Sequence, residues 1–193
     1  KDMKVLVING HPTPKESAAG KAILKAFLKQ RPDAIVRTLA ERKADSPAGF
    51  DVEAEQAALR DADIIVWHFP FYWYSVPGLM KTWIDSVFLR GFAHGSNGTA
   101  LRGKKLVVSL TTGAPEAAYA EGMPMNWPLE AFMPPLRQTA SLCGMEMLDP
   151  VATYGTTAMV LGGDEGREAL AQAAQKHAER LAAVIASIEK AEA

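Results

Sequence analysis

The sequence predicts an α/β protein: a doubly wound parallel sheet of five strands with helices on both faces. Two observations carry that expectation. Short apolar runs alternate with amphipathic segments along the chain, and a strand that returns through a helix lies parallel to its neighbour by a right-handed crossover. The runs are also continuously apolar and rich in β-branched residues, the pattern of strands covered on both faces.

The first run, KVLVING (residues 4–10), is such a strand. A polar loop follows, then a helix from about Ser17, in which Ile23, Leu24, Phe27 and Leu28 recur at helical spacing. AIVRTLA (34–40) reads as the second strand, VEAEQAALRDA (52–62) as a helix, and DIIVWHF (63–69) as the third and most hydrophobic strand. Leu79, Met80, Trp83, Ile84, Val87 and Phe88 mark the apolar stripe of the next helix. KKLVVSLTT (104–112) is the fourth strand. A helix in PLEAFMPPLRQTASLCG begins or kinks at Pro134 and Pro135 and ends at Gly144. EMLDPVATYG (146–155) is the fifth strand, irregular because Pro150 has no amide to pair. The last helix runs from a cap-like Asp164 towards Ile188, and His177 falls on its apolar stripe as a packing histidine rather than a ligand. No repeat or linker interrupts the pattern. Five strands suit the flavodoxin-like order 2-1-3-4-5, in a single domain over residues 1–193.

The 21 basic and 22 acidic residues leave a net charge of −1, which argues against nucleic acid as a partner and against a strongly acidic carrier that docks by charge. Cys143 is the single cysteine, so no intrachain disulfide forms and a cytoplasmic location is expected. Its apolar setting, SLCGM, reads as a buried inert thiol. No apolar run reaches the roughly 18 residues of a membrane span, KVLVING is too short for a signal peptide, and no metal site is expected. Lys1 and Asp2, ahead of Met3, read as additions to the natural chain.

A sheet of this order binds ligands beyond the carboxyl ends of its strands, where the strand order reverses. Three loops meet there. GHPTPKESAAGKA (10–22) is neither a dinucleotide fingerprint nor a Walker loop. It sets Ser17 at a helix start followed by the small residues Ala18, Ala19 and Gly20, so backbone amides and the helix dipole can receive a phosphate, with His11 as a further donor. FPFYWYSVPG (69–78) crowds Phe69, Phe71, Tyr72, Trp73 and Tyr74 together, a flat wall for a planar ligand. TTGAPEAAY (111–119) offers hydroxyls and the amides of Gly113 and Ala114 to a ring carbonyl that gains negative charge. Read singly, each loop has an ordinary structural use: an N-cap, a hydrophobic plug, a turn. Together they ask for a flavin mononucleotide.

FPFYWYSVPGLMKTWIDSVF, GFAHG, TALRGKKLVVSLTTG and the early INGHP resemble the flavodoxin-like NAD(P)H:quinone oxidoreductases. The small bacterial branch fits best, and it includes the ancillary subunits of glutathione-regulated potassium-efflux systems. The resemblance implies a homodimeric flavoprotein that reduces quinones or similar flat electrophiles by two-electron, ping-pong hydride transfer from NADH or NADPH. The flavin is FMN, with FAD left open. It implies that His11 and Ser17, Ala18, Ala19 and Gly20 hold the phosphate and ribityl region. Phe71, Tyr72, Trp73 and Tyr74 would line one side of the ring, and Thr112, Gly113, Ala114 and Pro115 the other. Tyr119 would assist the developing charge, and would form the substrate pocket with Trp73 and with His94, which covers the partner subunit's pocket. Tyr72 stands where the family has glutamine, and Met125 where larger members carry a histidine, so no tyrosine–histidine relay is implied. The alternative it implies is a regulatory subunit of a potassium-efflux transporter, peripheral at the inner face of the membrane.

Overall fold

The computed structural model describes residues 3–193; Lys1 and Asp2 lie outside them. β1 (Val5–Asn9), β2 (Ile35–Thr38), β3 (Ile64–Pro70), β4 (Lys105–Thr111) and β5 (Glu146–Met147) form a parallel sheet in the order β2-β1-β3-β4-β5. This is the flavodoxin-like order expected from the sequence. The expected fifth strand is broken in two. Leu148 still donates to Leu106, but the ladder then lapses until β6 (Val151–Thr153) pairs with the carboxyl end of β4. Pro150, with no amide to give, sits in the gap.

Successive strand residues point to opposite faces. Leu6, Ile8, Ile65 and Trp67 pack against α2 (Val52–Asp61), α3 (Gly78–Val87) and α4 (Pro134–Leu142). Val5, Val7, Val66 and Val107 pack on the other face against Phe27 of α1 (Ala18–Gln30) and Ala178, Leu181 and Ile185 of α6 (Gly163–Ala191). The helix ends obey local chemistry. Ser17 caps α1 by accepting from the Gly20 amide at 3.1 Å, and Asp51 caps α2 by accepting from Ala54. α4 ends in the left-handed Gly144, after which Met145 donates back to Ala140.

Two expectations are corrected. Asp164 is not the cap of α6: the helix starts at Gly163, with Gly162 at the cap position, and Asp164 lies in its first turn, where a carboxylate still faces the positive end of the dipole. A further helix, α5 (Thr156–Leu161), was not expected: its six residues bury nothing and so carry no apolar stripe.

His177 is buried as expected, but packing is only part of its place. His68 of β3, Ser109 of β4, His177 of α6 and Thr153 of β6 are all buried on the α1/α6 face. They form one chain: His68 Nδ1 to Ser109 Oγ, 2.9 Å; Ser109 Oγ to His177 Nε2, 2.7 Å; His177 Nδ1 to Thr153 Oγ1, 2.8 Å. Burial pushes the His68 imidazole down to about 4, the Gly20 backbone opposing and His11 adding to the shift. Burial also pushes His177 down to about 3, with His68 and Arg180 adding to it. Both rings are therefore neutral in the folded protein at neutral pH.

An unfolded histidine titrates near pH 6.5, so below that pH the unfolded chain binds protons that the folded chain refuses. Stability is therefore full above about pH 6.5 and falls as pH drops towards the folded values. We expect the urea-unfolding free energy to fall between about pH 6.5 and 5 with a slope approaching 1.4 kcal/mol per pH unit for each buried histidine. A flat profile over that window would mean that both rings take up protons without unfolding.

Candidate functional site

All strands run the same way, so the segments after β1, β3, β4 and β6 gather at one edge of the sheet. A cleft of about 250 Å³ opens there, between the start of α1, the turn after β3 and the first turns of α5. Within it, the site is built from the loops outward.

Gly10 begins the first loop by donating to the His68 carbonyl at 2.8 Å. It packs so closely on α3 that a Cβ would meet Met80 Sδ at 2.5 Å. His11 Nδ1 accepts from the Thr13 amide at 3.0 Å. That leaves Nε2 to carry the proton and donate to the Tyr72 hydroxyl at 3.4 Å. Burial lowers the pKa of His11, partly offset by Glu16. At the start of α1 the amides of Ala18 and Ala19 have no acceptor among the described residues.

After β3, Phe71 donates to Thr111 and the chain turns tightly, with Ser75 donating back to Tyr72 at 3.1 Å. Trp73 and Tyr74, the two central residues, are left-handed, with φ of 48° and 65°. This is a conformation that costs an L-residue roughly 1–2 kcal/mol. The five crowded aromatics separate. Phe69 is core. Phe71 and Tyr72 line the cleft. Tyr74 stacks on Phe132 at 5.2 Å between centroids, and Trp73 projects from the protein, 91% exposed.

In the third loop, the Thr112 hydroxyl donates to the Ala114 carbonyl at 2.8 Å. The amides of Gly113 and Ala114 have no acceptor among the described residues. The segment after β6 clasps this loop: Gly155 donates to Ala114, and the Thr156 hydroxyl to the Thr112 carbonyl at 3.0 Å. A Cβ at Gly113 would lie 2.6 Å from Thr157 Oγ1, so a larger residue there must displace that hydroxyl.

The structure thus brings His11, Ser17, Ala18, Ala19, Phe71, Tyr72 and Gly113 together around one cleft. Gly20, Thr112 and Ala114 stand behind as backbone support; a Cβ at Gly20 would lie 2.6 Å from the capping Ser17 hydroxyl. Trp73, Tyr74, Pro115 and Tyr119 do not line it. Tyr119 packs against Phe71, Phe132 and Tyr154, at 6.5, 6.4 and 5.6 Å between centroids, and opens onto an adjoining hollow of about 410 Å³. Burial raises the pKa of its phenol, with a hydrogen bond to Thr112 opposing, so Tyr119 is a protonated donor at neutral pH. Pro115 faces a larger groove of about 760 Å³ between α5 and α6. His94 joins no part of the cleft of its own chain. It lies on the segment between α3 and β4, at the opposite end of the strands, where the neighbouring Phe92 packs under Arg60.

Sequence reasoning missed Thr156, Thr157 and Val160, which close the cleft from α5, and Phe132, which anchors Tyr74. The Thr-Thr pair just past a strand end, like Thr111 and Thr112, was a usable signal. Phe132 left none.

The chain belongs to the Flavodoxin_2 family, described as having a flavodoxin-like fold, whose model matches residues 3–181. It is 41% identical over 152 residues to the glutathione-regulated potassium-efflux system ancillary protein KefF of Enterobacter sp. (strain 638), a match covering 79% of this chain and 84% of that protein. The general stress protein 14 of Treponema denticola, solved in complex with FMN, is 28% identical, with a TM-score of 0.82 over 93% of this chain and 98% of its own. An NADPH-quinone reductase from P. pentosaceus is 29% identical, with a TM-score of 0.74 over 91% of this chain and 98% of its own. Among the described residues no helix is long and apolar enough to cross a membrane.

The left-handed turn makes a direct prediction. Because the Trp73 side chain is exposed, replacing it gives up little packing. Trp73→Gly should be about 1 kcal/mol more stable than Trp73→Ala, since only glycine relieves the backbone. Equal urea-unfolding free energies would show that the turn relaxes without cost.

Proposed function

We propose that this protein is a flavin-dependent NAD(P)H:quinone oxidoreductase that binds FMN in the cleft at the switch point of its sheet. One observation carries the proposal: two pairs of free backbone amides, Ala18 with Ala19 and Gly113 with Ala114, belong to the loops on either side of a cleft lined by Phe71 and Tyr72. This donor set fits the nucleotide. The first pair, at the positive end of α1, suits a phosphate; the second suits a ring carbonyl that becomes negative on reduction. Bound there, the flavin would accept a hydride from NAD(P)H and pass it to a quinone or similar flat electrophile in a ping-pong exchange.

The chain's own residues supply position and electrostatics. His11 and Tyr72 hold each other across the mouth of the cleft. Thr112 and Thr156 fix the third loop so that the Gly113 and Ala114 amides are spared from internal pairing. Tyr119, protonated and held by the Phe71–Phe132 cluster, adds a phenolic donor that interacts with Thr112 of that loop.

A homodimer completes the site in this proposal. One chain's cleft falls below the roughly 300–1,000 Å³ of a finished small-molecule pocket. Apolar groups stand exposed beside it: Trp73, and Trp127 at 60% exposure in the segment whose Met125 accepts from the Tyr74 hydroxyl. Isologous pairing would cover both faces at once, and the implied role of His94, over the partner's cleft, requires it. The likeness to KefF supports a second reading, a regulatory subunit of a potassium-efflux transporter, and co-purification with such a transporter would favour it.

The purified protein should show a flavin spectrum that NAD(P)H bleaches and a quinone restores. A colourless protein that takes up neither FMN nor FAD would sink the proposal. Tyr119→Phe should lower quinone turnover roughly tenfold, the equivalent of one lost hydrogen bond, with flavin stoichiometry unchanged. An undiminished rate would remove Tyr119 from the mechanism.

A further inference from the structure

The proposed chemistry leaves one buried polar assembly unused: the chain from His68 through Ser109 and His177 to Thr153. Its free end meets the first turn of α1, whose Ala18 and Ala19 line the cleft. A Cβ added to Gly20, in the first turn of α1, would lie 3.4 Å from His68 Nε2. The Gly20 amide is already given to Ser17 Oγ, so the Gly20 carbonyl is the group left for Nε2.

That contact fixes the direction of the whole chain. Nε2 must carry a proton to face a carbonyl, so Nδ1 of the neutral His68 ring is an acceptor. Ser109 then donates to His68 and must accept from His177 Nε2–H. His177 Nδ1 is in turn an acceptor, and the Thr153 hydroxyl donates to it. Reversing the chain would set a bare Nε2 lone pair against the Gly20 carbonyl. Four side chains from β6, α6, β4 and β3 thus act in series on the backbone of α1, one residue beyond Ala18 and Ala19.

We propose that this chain is a positioning device for the phosphate end of the cleft. It anchors the first turn of α1, fixes where the Ala18 and Ala19 amides point, and so sets the affinity for the phosphomonoester of a flavin nucleotide. The inference rests on the flavin reading above. Ser109 is the decisive link, because its hydroxyl joins the two rings and holds His68 at Nδ1 while Nε2–H faces Gly20. Glu16 lines the same cleft and, among the described residues, no lysine or arginine does, so accurate placement of the two amides matters more here than it would beside a cationic side chain.

The test compares FMN with riboflavin, which lacks the phosphate. Apoprotein of the wild type, Ser109→Ala and Thr153→Val is titrated with each flavin, and binding is read by quenching of flavin fluorescence. We expect Ser109→Ala to weaken FMN about tenfold while riboflavin stays within about twofold, and Thr153→Val to shift FMN in the same direction by less. Should Ser109→Ala fail to fold, Thr153→Val decides alone. Unchanged FMN affinity, or equal losses for both flavins, overturns the inference, the second outcome marking mere loosening of the fold. Wild-type protein that binds riboflavin as tightly as FMN overturns it too, while leaving the flavin proposal standing. Wild-type protein that binds neither removes that proposal and this inference together.

Discussion

Burial of β3 and β4 on both faces is the constraint from which the rest of the molecule follows. Residues 64–69 of β3 and 106–111 of β4 are all buried, so every side chain there must find its partners inside the protein. Most are apolar and need only contact, although the Trp67 indole N–H is left without a hydrogen-bond partner among the described residues. His68 and Ser109 need hydrogen bonds, because a buried polar group left unpaired costs about 1–3 kcal/mol. Each is satisfied by the other, and the line extends to α6 and β6. A demand created in the middle of the sheet therefore ties the outer strand and the last helix to the element that opens the cleft. A second buried pair does comparable work on the opposite face. Glu55 of α2, 1% exposed, is held by Arg37 of β2 at 2.6 Å and accepts from the Trp83 indole of α3. The two assemblies lock one face each and leave the carboxyl edge of the sheet to the loops.

That division explains the cleft. Polar side chains such as His11, Glu16, Tyr72, Thr156 and Thr157 line it, but the donors left free in its first and third loops are backbone amides, and these are useful only where the loop has no need of them. At α1 the spare amides come from helix geometry, which leaves first-turn donors without partners. In the third loop they come from substitution: the Thr112 hydroxyl and the segment after β6 take over the bonds that would otherwise close the turn. In the aromatic turn, two consecutive left-handed residues, Trp73 and Tyr74, carry the chain from the cleft-lining Tyr72 to Ser75.

Much of this was legible in the sequence. Continuous apolar runs and helical stripes marked the strands and helices, because they report the burial that defines the sheet, and five strands alternating with helices suited the flavodoxin-like order that the sheet adopts. The three loops were found because chain direction alone places them at one edge. What escaped was of three kinds. α5 is short and buries nothing, so periodicity had nothing to register. The partners of His177 lie 24 and 68 residues away along the chain, and a stripe on one helix cannot say what it meets. The fate of each aromatic in FPFYWYSVPG depended on backbone angles at Trp73 and Tyr74 that composition does not encode. A wall of five rings became one core residue, two cleft residues, one stacked ring and one fully presented indole.

The broken outer strand has a further meaning. A sheet of buried parallel strands ends in a row of open amides and carbonyls to which another chain could add. Here that border is two residues, a gap holding Pro150, then three residues, one of whose carbonyls, Ala152, is already taken by Arg180 at 2.6 Å. Neither piece is long enough to template a stranger's strand. The irregularity that makes the fifth strand hard to read in the sequence thus also guards this edge against self-association into fibrils.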